Sequence, residues 1–586
     1  MVLCSWVWKH DAVKAALFYA VILAIMYPTV VFFGYTLQPA TYASYGVTDN
    51  GVYQYDGRQP IYTFNIDMAS SAYYEPGINK LVGEMYRGGE LPLWNPYQAG
   101  GTPLASQFST RVFFPYQILE DMSPTWTWDF FFLGRMWVAG LFTYLFLRAL
   151  KLRKSSAILG GLFYMLSGAM VWYIHKEEYV NVAMTVPVFL WSIERLVSVQ
   201  RPSDFLIATA STALVLLSGN PEIAAYVLLL GGTYAIYRII TDYGFGWSAA
   251  RTAAKIAGAG VLGAGLAAPL LIPFAELSSN AFHMHPAGGT MGTVDPAPLS
   301  WGLGVIFPTF FDTPTPQRWY PINGVWEFIG GYIGVLAVFL AVMGLLRKSP
   351  HRGLIVFFFV FGICVVLKNI GVPPFLWIGR LPLLDQVWSN RWAGPAWTFS
   401  LAIAGALGFE ILQQRWGESS QKWSWRRYWG VFLGAGGLAG VLIAVVFLKP
   451  VWNAYQAMIP ERHYLMVPYS RDYMEASLIG AVLSAMVVLL TAVLLWRAAV
   501  SKRYLKLGMV ALAVTALWFY IPRGYDYHFL YLKLIPMLGG IAAVWMLARA
   551  RWRWAIATMV IMVILATGLD LGSPHGFPKR QDPFRA

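Results

Sequence analysis

Charge is scarce in this chain. Asp, Glu, Lys and Arg make up 12% of its 586 residues, against roughly 25% in soluble domains, and that shortage excludes an ordinary water-soluble enzyme. Cysteine is scarcer still. Cys4 lies near the N-terminus and Cys364 in an apolar run, so neither a disulfide framework nor a cysteine metal site follows. The sequence also has no Walker loop, no His-Glu-x-x-His, no Gly-x-Ser-x-Gly in a strand–turn–helix context and no Cys-x-x-Cys, which removes the common soluble hydrolase, nucleotide-binding and redox classes.

What fills the chain instead is apolar. Hydrophobic residues make up 57% and the mean hydropathy is +0.52. Runs of about 20 apolar residues, the length that crosses a bilayer, recur from 13–34 to 555–571 and include 156–174, 253–275 and 326–346. They predict an all-α polytopic membrane protein with about 13–15 transmembrane helices. The first run is too long for a signal-peptide core and lacks a clear cleavage site, so it reads as a retained span. With the N-terminus inside, the basic clusters "KLRK" (151–154), "RKSPHR" (347–352), "RWGESSQKWSWRR" (415–427) and "RAAVSKR" (497–503) all fall on the inner side. That is the positive-inside pattern. It accounts for the net charge of +14 through topology, with no nucleic acid as partner.

The outer segments are longer, acidic and rich in Trp, Tyr, Pro and Gly. The largest runs from about 34 to 128. Within it, "EPGINKLVGEMYRGG" (75–89) has a Pro-Gly start, apolar Ile78, Leu81, Val82 and Met85, and a Gly-Gly stop. It predicts an amphipathic helix on the membrane face, and "RVFFPYQILEDM" (111–122) predicts a second interfacial segment.

Ionisable groups beside spans are the candidates for chemistry. Asp67 suits a general base toward a hydroxyl or a divalent-cation ligand, and equally a helix cap. "HKEEY" (175–179) brings His175 and Glu178 to an outer rim, either as a binding group and a second carboxylate or as a hydrated turn. In "SGNPEIAAY" (218–226) the Asn-Pro turn sets Glu222 on the first turn of the next span, where it also complements the helix dipole. Glu327 follows, with Asp312 and Arg318 upstream. Lys368, Arg380 and Arg391 flank one outer loop, as phosphate-binding cations or as snorkelling ones. Apolar spans with an outer polar rim suit a lipid-phosphate carrier, whose tail needs a groove and whose head needs cations.

The stretch "IDMASSAYYEPGINKLVGEMYRGGELPLWNPYQAGGTPLASQFSTRVFFPYQIL" resembles the first extracytoplasmic loop of YfhO-type bacterial membrane proteins. "LLSGNPEIAAYVLLL" is similar to the family's Gly-His-Pro-Gln span start, with Asn and Glu replacing His and Gln. "LAAPLLIPFAELSSNAFH", "WEFIGGYIGVLAVFLAVMGLLR" and "IGRLPLLDQVWSNRWAGPAWTFSLAIAGALGFEIL" continue the resemblance in order, over about residues 15–415. It implies a GT-C-like catalytic module at 1–415, followed at 416–586 by additional transmembrane helices. It also implies an inverting glycosyltransferase of the bacterial plasma membrane, with a polyprenyl-phosphate sugar donor and an active site on the extracytoplasmic face. The family pattern matches the catalytic acid of the first loop to Asp67. Arg391, with Lys368 or Arg318, then stabilises the departing phosphate. Glu222 is left to hydrogen-bond a sugar, and Trp94 and Tyr97 either stack on sugar rings or anchor the loop at the interface. Some GT-C enzymes use a divalent cation (Mg or Mn). The first loop has no Asp-x-Asp, so no metal is expected.

Two other classes fit the same composition. A transporter or flippase of lipid-linked glycan predicts mid-span charges and Gly/Pro-broken helices, whereas the acidic residues here gather at outer rims. A non-catalytic scaffold predicts that Asp67 is dispensable.

Overall fold

The computed structural model describes residues 2–38, 71, 74–280, 299–305, 328–416 and 577–578. Asp67, Arg318, Glu327 and the spans expected beyond 416 lie outside the described residues. The chain opens with α1 (Val2–Met26) and α2 (Pro28–Phe32), then β1 (Tyr35–Thr36), which pairs with β4 (Phe577–Pro578). The first loop carries α3 (Glu75–Arg87), a hairpin of β2 (Trp94–Asn95) and β3 (Thr102–Pro103), and α4 (Pro115–Met122). The bundle follows as α5 (Trp128–Ala149), α6 (Lys154–Met165), α7 (Gly168–Val171), α8 (Glu177–Ser198), α9 (Pro202–Leu217), α10 (Pro221–Tyr243), α11 (Trp247–Leu266) and α12 (Ala268–Asn280). After these come α13 (Val335–Leu345), α14 (Arg352–Asn369) and α15 (Gly394–Trp416).

Among the described residues, Thr125–Ala149, Glu177–Ser198, Pro221–Tyr243 and Arg352–Asn369 are helices long and apolar enough to cross a membrane. A bent pair, α11 with α12, makes a fifth if it is one span. The protein is a multi-pass helical membrane protein. At its centre stands α15, which packs against α13, α14, α6 and α8. Its residues from Ala396 to Ile411 are buried wherever described, the mark of a helix apolar all round. Thr398 and Ser400 donate to the carbonyls of Gly394 and Ala396, each at 2.7 Å, so no hydroxyl there lacks a partner.

Three spans expected as continuous are broken. In the run 326–346 the helix α13 begins only at Val335, after Gly330, Gly331 and Gly334 at positive φ, and the other two breaks also have local causes. The run 156–174 stops at Met165 because the backbone N–H of Gly168 donates to the carbonyl of Tyr332 at 2.9 Å. The segment around Gly331 and Tyr332 lies where a side chain at Gly168 would stand, so the helix cannot continue with any larger residue. The run 253–275 bends by 70° between α11 and α12, where Pro269 and Pro273 remove helical N–H groups.

The first loop also departs from expectation. The apolar side of α3 covers a core of the loop's own, with Ile78 and Val82 against Leu104, Ala105 and Val112, instead of lying on a membrane face. In α4 the polar residues Gln117, Glu120 and Asp121 are buried while Leu119 and Met122 are exposed. This inverted amphipathic helix turns its polar face into the bundle, and that face reaches the site.

Candidate functional site

The bundle end that carries the first loop gathers buried ionisable groups from helices and turns far apart in sequence. Arg135, two turns into α5, is fully buried. Its guanidinium donates to Asn181 Oδ1 at 2.7 Å, to Gln117 Oε1 at 3.0 Å and to both oxygens of Glu120. Gln117 passes the chain on, donating to Asp121 Oδ1 at 2.8 Å. The rings of Tyr116 and Phe132 sit 5.2 and 5.4 Å from the same guanidinium. A buried arginine survives in apolar surroundings when every face of it is occupied in this way.

A second centre forms around Arg111, at the C-terminal end of a 3-10 turn, with a left-handed φ of 56°. A non-glycine residue there is uncommon. Nη2 of Arg111 donates to Asn79 Oδ1 at 2.8 Å and to Glu177 Oε2 at 3.0 Å, and Asn79 Nδ2 donates to the same Glu177 oxygen at 2.8 Å. Among the described residues, Nε and Nη1 of Arg111 and Oε2 of Glu75 are buried without a hydrogen-bond partner. Lys176 pairs with Glu178 at 3.3 Å and lies 5.3 Å from the Trp392 ring centroid. The turn "GNPE" closes this centre. Gly219 has φ 123°, and a Cβ there would lie 2.7 Å from Cγ of Arg111 and 3.2 Å from Cα of Glu178.

The third group comes from the C-terminal half of the described bundle. Lys368, 5% exposed at the end of α14, donates to the Tyr226 hydroxyl and to Asn390 Oδ1, each at 2.7 Å. Asn390 is fixed in turn by reciprocal bonds with Asn369 of 2.9 and 3.1 Å. Among the described residues no carboxylate pairs with Lys368; its partners are neutral. Arg391 is buried with its guanidinium 4.3 Å from the Trp392 ring. Glu222 accepts from the backbone N–H of Trp388 at 2.6 Å, which ties the start of α10 to the loop before α15.

Electrostatics in the first loop follow burial. Burial pushes Glu75 up to about 8, against the pull of Arg111, and Glu120 up to about 8, against Arg135. Asp121 also rises to about 8, mainly through burial and the neighbouring Glu177. Burial pushes His175 down to about 4, so the ring is neutral at physiological pH. It meets Phe132 edge-on at 6.4 Å. Among the described residues no group of three or more His, Cys, Asp or Glu is placed to hold a metal ion.

Of the residues singled out from sequence, Glu178, Glu222, Lys368 and Arg391 come to the same end of the bundle, and His175 lies in the wall beside them. Trp94 and Tyr97 stand on the hairpin, 52% and 84% exposed, with the indole of Trp94 laid over Gly101. Sequence reasoning missed Glu75, Asn79, Arg111, Glu120, Arg135 and Glu177. Arg135 alone carried a signal, as a charge inside an apolar run.

The site and fold define a multi-pass helical membrane protein with a buried polar centre at one end. No protein-family model matches the chain, and no curated protein sequence does. Among solved structures it is similar to ArnT from Cupriavidus metallidurans bound to undecaprenyl phosphate, at 11% identity and a TM-score of 0.43, covering 95% of this chain and 76% of that one. The apo form of the same protein aligns at 11% identity and a TM-score of 0.41, over 97% and 77%. Likeness of that degree does not assign a family.

Proposed function

We propose that the chain is a GT-C-like membrane glycosyltransferase. It moves a sugar from a polyprenyl-phosphate carrier to an extracytoplasmic acceptor, which is an envelope glycan, a lipid or a protein. The observation that carries this reading is Lys368, a buried cation whose partners are a hydroxyl and an amide. Buried charges are ordinarily paired, and a phosphate oxygen supplies the opposite charge. Arg391, on the same loop, offers a planar fork for a second phosphate oxygen.

In this reading Asp67 takes the proton of the acceptor hydroxyl. The acceptor oxygen attacks the anomeric carbon, the bond from that carbon to the phosphate oxygen breaks, and configuration inverts. Lys368 and Arg391 stabilise the charge that develops on the leaving phosphate. Glu178 lines the acceptor side, Glu222 takes a sugar hydroxyl, and Trp94 and Tyr97 offer flat exposed faces to sugar rings. Orientation follows the positive-inside pattern, with the N-terminus cytoplasmic.

The test is transfer of radiolabelled sugar from polyprenyl phosphate by the purified full chain in nanodiscs. Asp67→Asn is expected to reduce transfer by about a thousandfold, the scale on which a triad or oxyanion group acts, with folding intact. Full activity in that variant sinks the base assignment.

A second reading, a transporter of lipid-linked glycan, draws on the broken spans at Met165 and Ala267 and on Arg135 inside α5. It predicts binding and translocation of the lipid-linked sugar without transfer.

A further inference from the structure

The mechanism above makes no use of Arg111 and Glu75, yet they are the least satisfied polar groups at the site. Arg111 is 2% and Glu75 4% exposed. Two nitrogens of the first and one oxygen of the second are buried without a partner, and among the described residues no ion pair joins them. Each such atom is costly to leave buried unless something completes it. Arg111 is the strongest charge acting on Glu75, so the unpartnered donors and the unpartnered acceptor belong to neighbouring groups. Tyr74 and Glu178 beside this centre are only partly buried.

The charge around this space selects the ligand. Glu177, Glu75, Asp121 and Glu178 all act on Arg111, and Lys176 is already paired with Glu178. Arg111 is likewise paired with Glu177, so neither cation carries an unanswered charge and a phosphate is disfavoured. The fixed fork of Arg111 excludes a bare metal ion from its own position. A neutral hydroxylated ring is what remains, since each hydroxyl accepts from an arginine N–H and donates to a carboxyl oxygen.

We propose that Arg111 and Glu75, braced by Asn79 and Glu177, form a subsite for the neutral hydroxyls of a sugar ring, separate from the cations at Lys368 and Arg391. The inference rests on the glycosyl-transfer reading for its biological meaning, and its geometry stands apart from the lipid phosphate. Gly219 is part of the device, because a side chain there displaces the stem of Arg111. At neutral pH Glu75 keeps its proton for the most part. It then offers one donor and one acceptor, as an amide does.

The probes are methyl glycosides of glucose, galactose, mannose and N-acetylglucosamine, followed by saturation-transfer NMR on the full chain in a detergent without a sugar headgroup. Binding of inorganic phosphate and of undecaprenyl phosphate is measured in parallel. At least one glycoside is expected to bind. Glu75→Leu should weaken it about tenfold or more, the scale of a lost buried hydrogen bond, while Glu75→Gln retains it and undecaprenyl phosphate binding holds in both variants. Adding a saturating polyprenyl-phosphate sugar tells donor from acceptor: the free glycoside is displaced if the subsite holds the donor's sugar and stays if it holds the acceptor's. Unchanged glycoside binding in Glu75→Leu, or a parallel loss of undecaprenyl phosphate, overturns the proposal. So does the absence of any glycoside signal from wild-type protein. Glycoside binding without undecaprenyl phosphate binding supports this subsite and counts against the lipid-phosphate reading, so the two fail separately.

Discussion

The two ends of the helical bundle use the same buried chemistry and finish it differently. At the end opposite the first loop, Glu194 accepts from Arg238 on both oxygens and from the Tyr234 hydroxyl. Asp204 accepts from Arg195 and from the backbone N–H of Arg201. Glu410 accepts from Ser156, Gln414 and the backbone N–H of Arg153. Every oxygen of these three carboxylates has a partner. At the loop end, among the described residues, Glu75, Asp121 and Arg111 keep buried atoms without one, and Lys368 has only neutral partners. Completed networks fix helices in register, whereas incomplete ones are left for a ligand to complete. The contrast locates function better than the number of charged residues at either end.

Breaking the completed end is expected to give the largest effect on stability. Glu194→Ala leaves Arg238 and Tyr234 without their common acceptor, and removing one partner of a buried pair costs about 3–5 kcal/mol. Denaturation of the purified protein in detergent measures it. A loss no larger than that of a surface substitution removes the distinction between the two ends.

The next effect depends on pH and belongs to the loop end. Glu75, Glu120 and Asp121 ordinarily titrate at 4.5, 4.5 and 3.8, and each is raised to about 8 in the folded chain. Between those values the folded protein holds protons that the unfolded chain has released, so stability falls as pH rises from about 4.5 to about 8. Glu75→Gln removes one of the three groups and should flatten that fall, read as thermal midpoint against pH. Parallel curves for the variant and the wild type contradict the assignment.

A smaller effect comes from the turn that ties the ends of α9 and α10 to the site. Gly219→Ala sets a Cβ against Arg111 at a positive φ. The backbone term alone is about 1 kcal/mol or more. Transfer activity is expected to fall severalfold through a raised KM for the sugar-bearing substrate. A normal KM together with an unchanged structure shows that Arg111 does not touch substrate.

Much of the fold was legible from local pattern. Apolar runs mark the helices, and Asn-Pro marks the start of α10, where Asn220 caps the helix by accepting from the Ile223 N–H at 2.9 Å. Lys368, Glu222 and Arg391 were found because they stand at span ends. The breaks were not legible, because hydropathy counts apolar residues and is blind to where a backbone N–H is spent; Gly168 spends its own on Tyr332. Nor were Glu75, Asn79, Arg111 and Glu120. They enter the site only because the first loop folds back on the bundle, with the polar face of α4 turned inward. That contact spans 66 residues between Arg111 and Glu177, and no local periodicity reports it.

The central claim is that the loop end awaits an anion at Lys368 while the pair of Arg238 and Glu194 at the opposite end is complete. Equilibrium binding of undecaprenyl phosphate to wild-type chain, Lys368→Met and Arg238→Met in nanodiscs tests it most directly. Lys368→Met should bind about a hundredfold more weakly, the scale of a charge-assisted contact of about 2–3 kcal/mol, and lose less stability than Arg238→Met. Arg238→Met should lose stability and, where folded, bind as wild type does. Equal affinity in wild type and Lys368→Met would contradict the account.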